Sequence, residues 1–397
     1  MVRRSVTPPD DAADSPLHRV LTFLGSLDKI QLVSALLLCA VGLLFIHSTG
    51  IQAGRGVAEF RRQVFWLAVG MAAYFLCALP DPRRAQSRIL AFFVYPAVLV
   101  LLILVLIPKV GIRLNGASRW LGFGALRIQP SEFAKLGLIL ALSALFSGMM
   151  FDVNRPAGIA TAVMLTLVPF LLIVVEPDLG SALVCLPIFL AIVVCAGLKW
   201  RYIVGGAFAV ALLGSLLVLN ETSGSRPLLT KYQRARITTF INPEHDRAGA
   251  GFNAHQAKLA VGSGGLTGKG IGEGTQNTLG FLPRSVANND FIFSVIAEET
   301  GFFGSLALIS IYAMLIYSIM RTAFVTEEIF GRSLCVGVGA LLFTHMFINI
   351  GMNIGALPVT GLPLPLVSRG GSFTVVALAS LGMVQSVHRH RDKEGAR

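Results

Sequence analysis

A carboxylate placed where polar sequence runs back into apolar sequence is well placed for proton chemistry. This 397-residue chain has one at Asp290, between Asn289 and the run Phe291-Ile-Phe. Asp290 should stand at or beside a helix N-terminus at a membrane face. An Asp there caps backbone N–H groups and meets the positive end of the dipole. Partly desolvated and beside a cation, it is equally suited to act as a base. Spacing alone leaves both readings open. A helix continuing from it carries Ser294 and Glu298 on the same face, at i+4 and i+8. A second charged set, Glu132 and Lys135, lies in the first turns of an apolar helix opened by Pro130. Charge inside a membrane segment is costly, so it faces the bundle interior and takes a partner. Spaced i,i+3, these two can pair with each other, or Lys135 can serve Asp290. Arg119, Arg127, Arg234 and Arg236 form a third set, suited to phosphate groups or to anchoring at lipid headgroups.

The elements that must position these side chains follow from composition. Hydrophobic residues make up 54% of the chain and charged residues 14%, against roughly 25% charged in soluble proteins. Mean hydropathy is +0.72. Lipid is therefore the main solvent, and the class is an all-α, polytopic membrane protein with about ten transmembrane helices. Apolar runs are expected over about 30–46, 64–79, 89–107, 130 onward, 158–175, 182–198, 203–219, 291–320, 334–354 and 373–387. Residues 1–28 read as a polar, irregular cytoplasmic tail without a cleavable signal, and 388–397 as a basic cytoplasmic tail. Helices and joints between them form a membrane domain over 29–387. Counting crossings from a cytoplasmic N-terminus puts 220–290 outside as one large extracellular loop, with the link 109–129 outside as well. The net charge of +12 suits cytoplasmic joints, or an anionic substrate. A nucleic-acid partner is excluded, because no basic run interleaves with aromatics. The five cysteines lie in apolar runs without a CxxC pair and read as packing residues.

The glycine run Gly262-Ser-Gly-Gly-Leu-Thr-Gly-Lys-Gly invites comparison with a nucleotide loop and fails it. The first glycine of GxxxxGK[ST] would fall on Ser263, and Gly270 replaces the hydroxyl residue. Tight turns, or amides facing an anion, fit it better. His345, Asn349 and Asn353, spaced i, i+4, i+8, share one helix face suited to interhelical hydrogen bonds. No internal repeat of the transporter kind is evident.

The strings Asn115-Gly-Ala-Ser-Arg-Trp, Gln129-Pro-Ser-Glu-Phe-Ala-Lys, Glu176-Pro-Asp-Leu-Gly, Gly262-Ser-Gly-Gly, Gly274-Thr-Gln, Asp290-Phe-Ile-Phe-Ser-Val-Ile-Ala-Glu-Glu and Pro363-Leu-Pro occur in this order. With them, the chain resembles the shape, elongation, division and sporulation (SEDS) family over about residues 30–387. Tyr232-Gln-Arg, Asn242-Pro-Glu and Gly268-Lys-Gly make it more similar to the RodA branch than to the FtsW branch. The resemblance implies a peptidoglycan glycosyltransferase of the cytoplasmic (inner) membrane. Its site faces the periplasm or cell exterior, where it polymerises lipid II beside a class B penicillin-binding protein of the cell-elongation machinery. It places the essential aspartate on Asp290 and the helix-four pair on Glu132 and Lys135. The substrate-binding candidates are Arg119, Ser131, Arg234, Arg236, Gln276 and Ser368. Two departures stand out: Arg284-Ser-Val-Ala-Asn-Asn before Asp290 is two residues longer than usual, and Ser368-Arg-Gly-Gly-Ser carries an added cation at Arg369.

The reaction so implied is an inverting displacement, with Asp290 taking the acceptor hydroxyl proton, worth about 10²–10⁴-fold. Lys135 would orient Asp290 or neutralise phosphate, and Arg119 would steady the departing diphosphate. No cofactor is assigned; participation of a divalent cation, Mg²⁺ or Mn²⁺, is left open, and no dedicated ligand cage is visible. A lipid II flippase and a non-catalytic scaffold for the penicillin-binding protein are the competing readings.

Overall fold

The computed structural model describes residues 16–51, 56–82, 84–114, 117–123, 126–148, 152–222, 250–282 and 287–391. Its helices are Pro16–Gly25 (α1), Lys29–Ile51 (α2), Gly56–Cys77 (α3), Ala85–Leu106 (α4), Pro130–Ser147 (α5), Pro156–Val175 (α6), Leu179–Cys195 (α7) and Trp200–Thr222 (α8). Then come Ala250–Ser263 (α9), Thr275–Thr278 (α10), Ile292–Val325 (α11), Ile329–Asn353 (α12) and Ser372–His390 (α13). Five of them, α2, α5, α6, α11 and α12, are long and apolar enough to cross a membrane by length and composition. Helices dominate because hydrocarbon offers no partner for an unpaired backbone group. Prolines at the first turns of α5 and α6 cost nothing, since those N–H groups lack intrahelical acceptors anyway. Asp178 caps α7 through the Ser181 N–H, and Glu328 caps α12 through those of Phe330 and Gly331.

The layering follows from which faces are buried. α5 has 83% of its apolar window buried, against 28% for α6. It is an interior helix packed on α4, α7 and α12. α2 and α11 pair, α3 lies along α13, and α9 folds back onto α11. Phe92, Phe93, Met164, Leu171 and Phe208 point outward, as lipid-facing side chains do. The five cysteines are unpaired thiols: Cys39, Cys185 and Cys335 are buried, and Cys77 and Cys195 are half-buried.

Several expectations need correction. The 109–129 link contains a three-stranded antiparallel sheet, Gly111–Leu114 (β1), Ala117–Phe123 (β2) and Leu126–Ile128 (β3), in the order β1-β2-β3. Leu114 pairs with Ala117 across Asn115-Gly116, a dipeptide that favours two-residue hairpins. The tail to residue 28 is not irregular throughout, because α1 occupies Pro16–Gly25. Leu17, Val20, Leu21 and Leu24 recur at helical spacing there, a pattern that its overall polarity obscures. Asp28 is buried, and its carboxylate accepts from the Ile30 N–H at 2.9 Å and the Ser318 hydroxyl at 2.9 Å. The C-terminal tail begins later than 388, since α13 runs to His390 and the Arg389 guanidinium lies 4.3 Å from the Phe23 ring. Finally, α11 is broken at Gly301 (φ 68°), inside what reads as one continuous helix.

Candidate functional site

Asp290 lies in the turn just before α11, half-buried. The cap position falls on Phe291, which makes no side-chain cap, so Asp290 is not the N-cap residue. Its main chain is held tightly. The Asp290 carbonyl accepts from Asn349 Nδ2 at 2.9 Å and from Asn353 Nδ2 at 3.0 Å. Asn353 Oδ1 in turn accepts from the Ser294 N–H at 3.2 Å and from its hydroxyl. One residue earlier, the Asn289 carbonyl accepts from the Ser368 hydroxyl at 2.6 Å, and the Asn288 carbonyl accepts from the Arg369 N–H at 2.8 Å. The backbone of 288–290 is thus fastened from α12 and from the loop before α13.

Lys135 is fully buried, and its Nζ lies 2.8 Å from Glu132 Oε2 and 2.9 Å from His345 Nε2. His345 Nδ1 is 3.3 Å from the Pro363 carbonyl, an acceptor only, so Nδ1 carries the hydrogen and Nε2 accepts from the ammonium. The imidazole also stacks on Phe373 at 4.5 Å. Lys135 is therefore the partner of Glu132 and His345. Its connection to the Asp290 turn is indirect, along the α12 face that carries His345, Asn349 and Asn353. That face is the interhelical hydrogen-bonding surface expected from its spacing. It runs from a buried ion pair to the carbonyl of Asp290.

Arg119, on β2, reaches the joint between α6 and α7. Its Nε donates to the Glu176 carbonyl at 3.3 Å, its Nη2 to the Pro177 carbonyl, and its Nη1 stands 3.9 Å from Asp178. Gln129 Nε2 bridges Asp178 Oδ2 (3.2 Å) and the buried Ser131 hydroxyl (3.1 Å). The two carboxylate oxygens of Glu176 are buried without a hydrogen-bond partner among the described residues. Burial, then the nearby Asp178, pushes the Glu176 carboxyl up to about 9, against the pull of Arg119.

A cavity of ≈ 400 Å³ opens beside this turn, lined by Arg62, Trp66, Trp120, Arg127, Asn289 and Arg369, with Gln63, Gly370 and Gly371. Three guanidiniums, of which that of Arg369 pairs with Glu59, and two indoles make a setting that suits an anion attached to a flat or apolar body. Sequence reasoning missed Arg62 and Trp66, although Arg61-Arg62-Gln63 at the head of an apolar run is the same kind of signal that marks Glu132 and Lys135.

The remaining candidates have other roles. Ser368 is buried; besides holding Asn289, its hydroxyl accepts from the Leu364 N–H at 2.8 Å. The Gln276 N–H donates to Glu298 at 3.1 Å, and its side-chain Oε1 has no hydrogen-bond partner among the described residues. The glycine run closes on the break in α11. Lys269 and Gly270 N–H groups donate to the Glu298 and Glu299 carbonyls, both at 3.0 Å, and Lys269 Nζ pairs with Glu298 at 2.6 Å. These amides of the run therefore meet main-chain carbonyls rather than an anion; just beyond it, the Glu299 carboxylate accepts from the Gly272 N–H at 2.9 Å. Arg234, Arg236 and residues 284–286 lie outside the described residues. Among the described residues, no three His, Cys, Asp or Glu side chains gather as a metal site.

The profile of the FtsW, RodA and SpoVE family, described as cell cycle proteins, matches residues 28–393. Peptidoglycan glycosyltransferase MrdB of Escherichia coli (strain K12) is 36% identical over 368 residues, covering 92% of this chain and 95% of the relative. Stage V sporulation protein E of Bacillus subtilis (strain 168) is 32% identical over 371 residues, covering 91% and 97%. Among solved structures, a chain of a peptidoglycan synthase complex that coordinates polymerization and crosslinking superposes with TM-score 0.77 at 33% identity, covering 93% of this chain and 99% of that one. The rod shape determining protein RodA of Thermus thermophilus superposes with TM-score 0.68 at 31% identity, covering 93% and 98%.

Proposed function

The chain belongs to the FtsW, RodA and SpoVE family of cell cycle proteins, and we infer that it is a peptidoglycan glycosyltransferase that polymerises lipid II during cell-wall elongation. One observation carries the site assignment. Asp290 follows directly on Asn289, a wall of the cavity that gathers Arg62, Arg127 and Arg369. An aspartate one residue from the wall of a cationic pocket matches a reaction that takes a proton at one atom and releases a diphosphate at another.

In this scheme the acceptor sugar's 4-hydroxyl attacks the anomeric carbon of the donor. The new C–O bond forms as the bond to the diphosphate oxygen breaks, with inversion. Asp290 takes the hydroxyl proton, and the leaving electron pair goes to the diphosphate, whose charge Arg62 and Arg127 offset. Lys135 acts from a distance, by fixing His345 and with it the α12 face that holds the Asp290 carbonyl. The site faces the exterior of the cytoplasmic membrane, where a lipid-tailed substrate presents its sugars. The synthase-complex relative supports a cross-linking penicillin-binding protein as partner.

The test is polymerisation of purified lipid II by the Asp290→Asn protein. We expect a loss of about 10²–10⁴-fold with folding intact. Retained polymer would overturn the assignment of Asp290. Movement of fluorescent lipid II across liposomes without polymer would instead favour a flippase.

A further inference from the structure

We propose that Glu59 is a positioning residue for the external site, clamping the 288–290 turn to the cavity wall. Its Oε2 accepts from Asn288 Nδ2 at 2.7 Å, and its Oε1 lies 2.7 Å from Arg369 Nη1. The Arg369 N–H donates to the Asn288 carbonyl at 2.8 Å, which closes a ring through Asn288, Arg369 and Glu59. Thr49, near the end of α2, donates to Asn288 Oδ1 from the other side. Both polar ends of the Asn288 side chain and its carbonyl are therefore taken, two residues before Asp290. Three separate parts of the chain meet there: α2, α3 and the loop before α13.

The clamp also divides the labour among the cavity's cations. Among the described residues, Arg369 is the lining guanidinium with a carboxylate partner, while Arg62 and Arg127 have none. Arg369 serves the protein's own turn, and the other two meet the incoming anion. Glu59 and Arg369 are 25% and 30% exposed, so the pair sits at the cavity's rim rather than in the core. A wet ion pair contributes little to global stability. Losing it should alter the placement of Asp290 while leaving the fold in place.

The kinetic part of this proposal rests on the glycosyltransferase reading; the structural part does not. With purified full-length protein and lipid II, Glu59→Ala and Arg369→Ala should each lower kcat about tenfold with KM little changed, because misplacement of a reacting group acts on the transition state. The double variant should be no worse than either single one, since both cut the same ring. Glu59→Gln, which keeps an acceptor for Asn288, should recover part of the loss. Arg62→Ala should instead raise KM. Amide hydrogen exchange over 288–291 should quicken in Glu59→Ala without any substrate. Additive losses, an effect on KM alone, or unchanged exchange would overturn the clamp. Wild-type protein that makes no polymer would overturn the glycosyltransferase reading, with exchange still deciding the clamp. If the alanine variants fail to fold, the size-conserving Glu59→Met and Arg369→Met, which also open the ring, carry the same exchange test.

Discussion

Lys135 sits where water cannot replace a lost partner, so its contribution is best read through what its removal leaves behind. Lys135→Met strands Glu132 as a buried carboxylate, at a cost of about 3–5 kcal/mol. A lowered thermal midpoint in detergent should report it, and Glu132→Gln added to the same chain should restore most of the loss. Glu176 gives a pH prediction. Its folded pKa of about 9 lies above the ordinary 4.5, so the folded state holds a proton that the unfolded chain releases. Its contribution is fully present below about 4.5, declines as pH rises, and is gone above about 9. Glu176→Gln should flatten that decline in melts taken across the window. The pairing of Glu132 with Lys135 was legible from i,i+3 spacing. The third member, His345, was not, because it lies 210 residues away and only packing brings it near. Asp290 was legible as the last polar residue before an apolar run, but the residues fastening it come from distant segments that no local pattern links.

Elements repeat the pattern: periodicity reveals them and tertiary contact interrupts them. The apolar runs announce the helices, yet the break in α11 hides inside one, because a single glycine after Glu298-Glu299-Thr300 does not by itself end a helix. Its cause is a docking partner. A Cβ at Gly301 would meet the Gly268 nitrogen at 2.3 Å, and one at Gly268 (φ 80°) would meet the Glu299 carbonyl oxygen at 2.2 Å. Gly268→Ala and Gly301→Ala should therefore each lose about 1–3 kcal/mol from backbone strain, plus the cost of the clash. Gly262→Ala, in α9 with nothing within 4 Å, should be neutral or stabilising. A thermal series over the three variants reads this directly. On α12, Asn349→Leu and Asn353→Leu each remove a donor to the Asp290 carbonyl. Activity should fall more steeply than the melting midpoint if this face positions the turn.

At the scale of the molecule, the external placement proposed for the site makes a labelling prediction. In a background without the native cysteines, Glu273→Cys should react with an impermeant maleimide from outside, and Glu327→Cys only after permeabilisation. Both positions are exposed. The class, a helical membrane protein, was legible because lipid imposes one simple rule on every segment. The cavity was not, since its walls come from α3, the small sheet and the loop before α13. The break in α11 also has a metric consequence. At 1.5 Å per residue, 302–325 rises about 36 Å, enough for a hydrocarbon layer of ~30 Å. The segment 292–300 adds about 13 Å beyond it. Gly301 thus acts as a depth gauge. On the reading proposed above, it sets the Asp290 turn apart from the spanning segment, at the level where a lipid-anchored substrate would present its sugars rather than its tail.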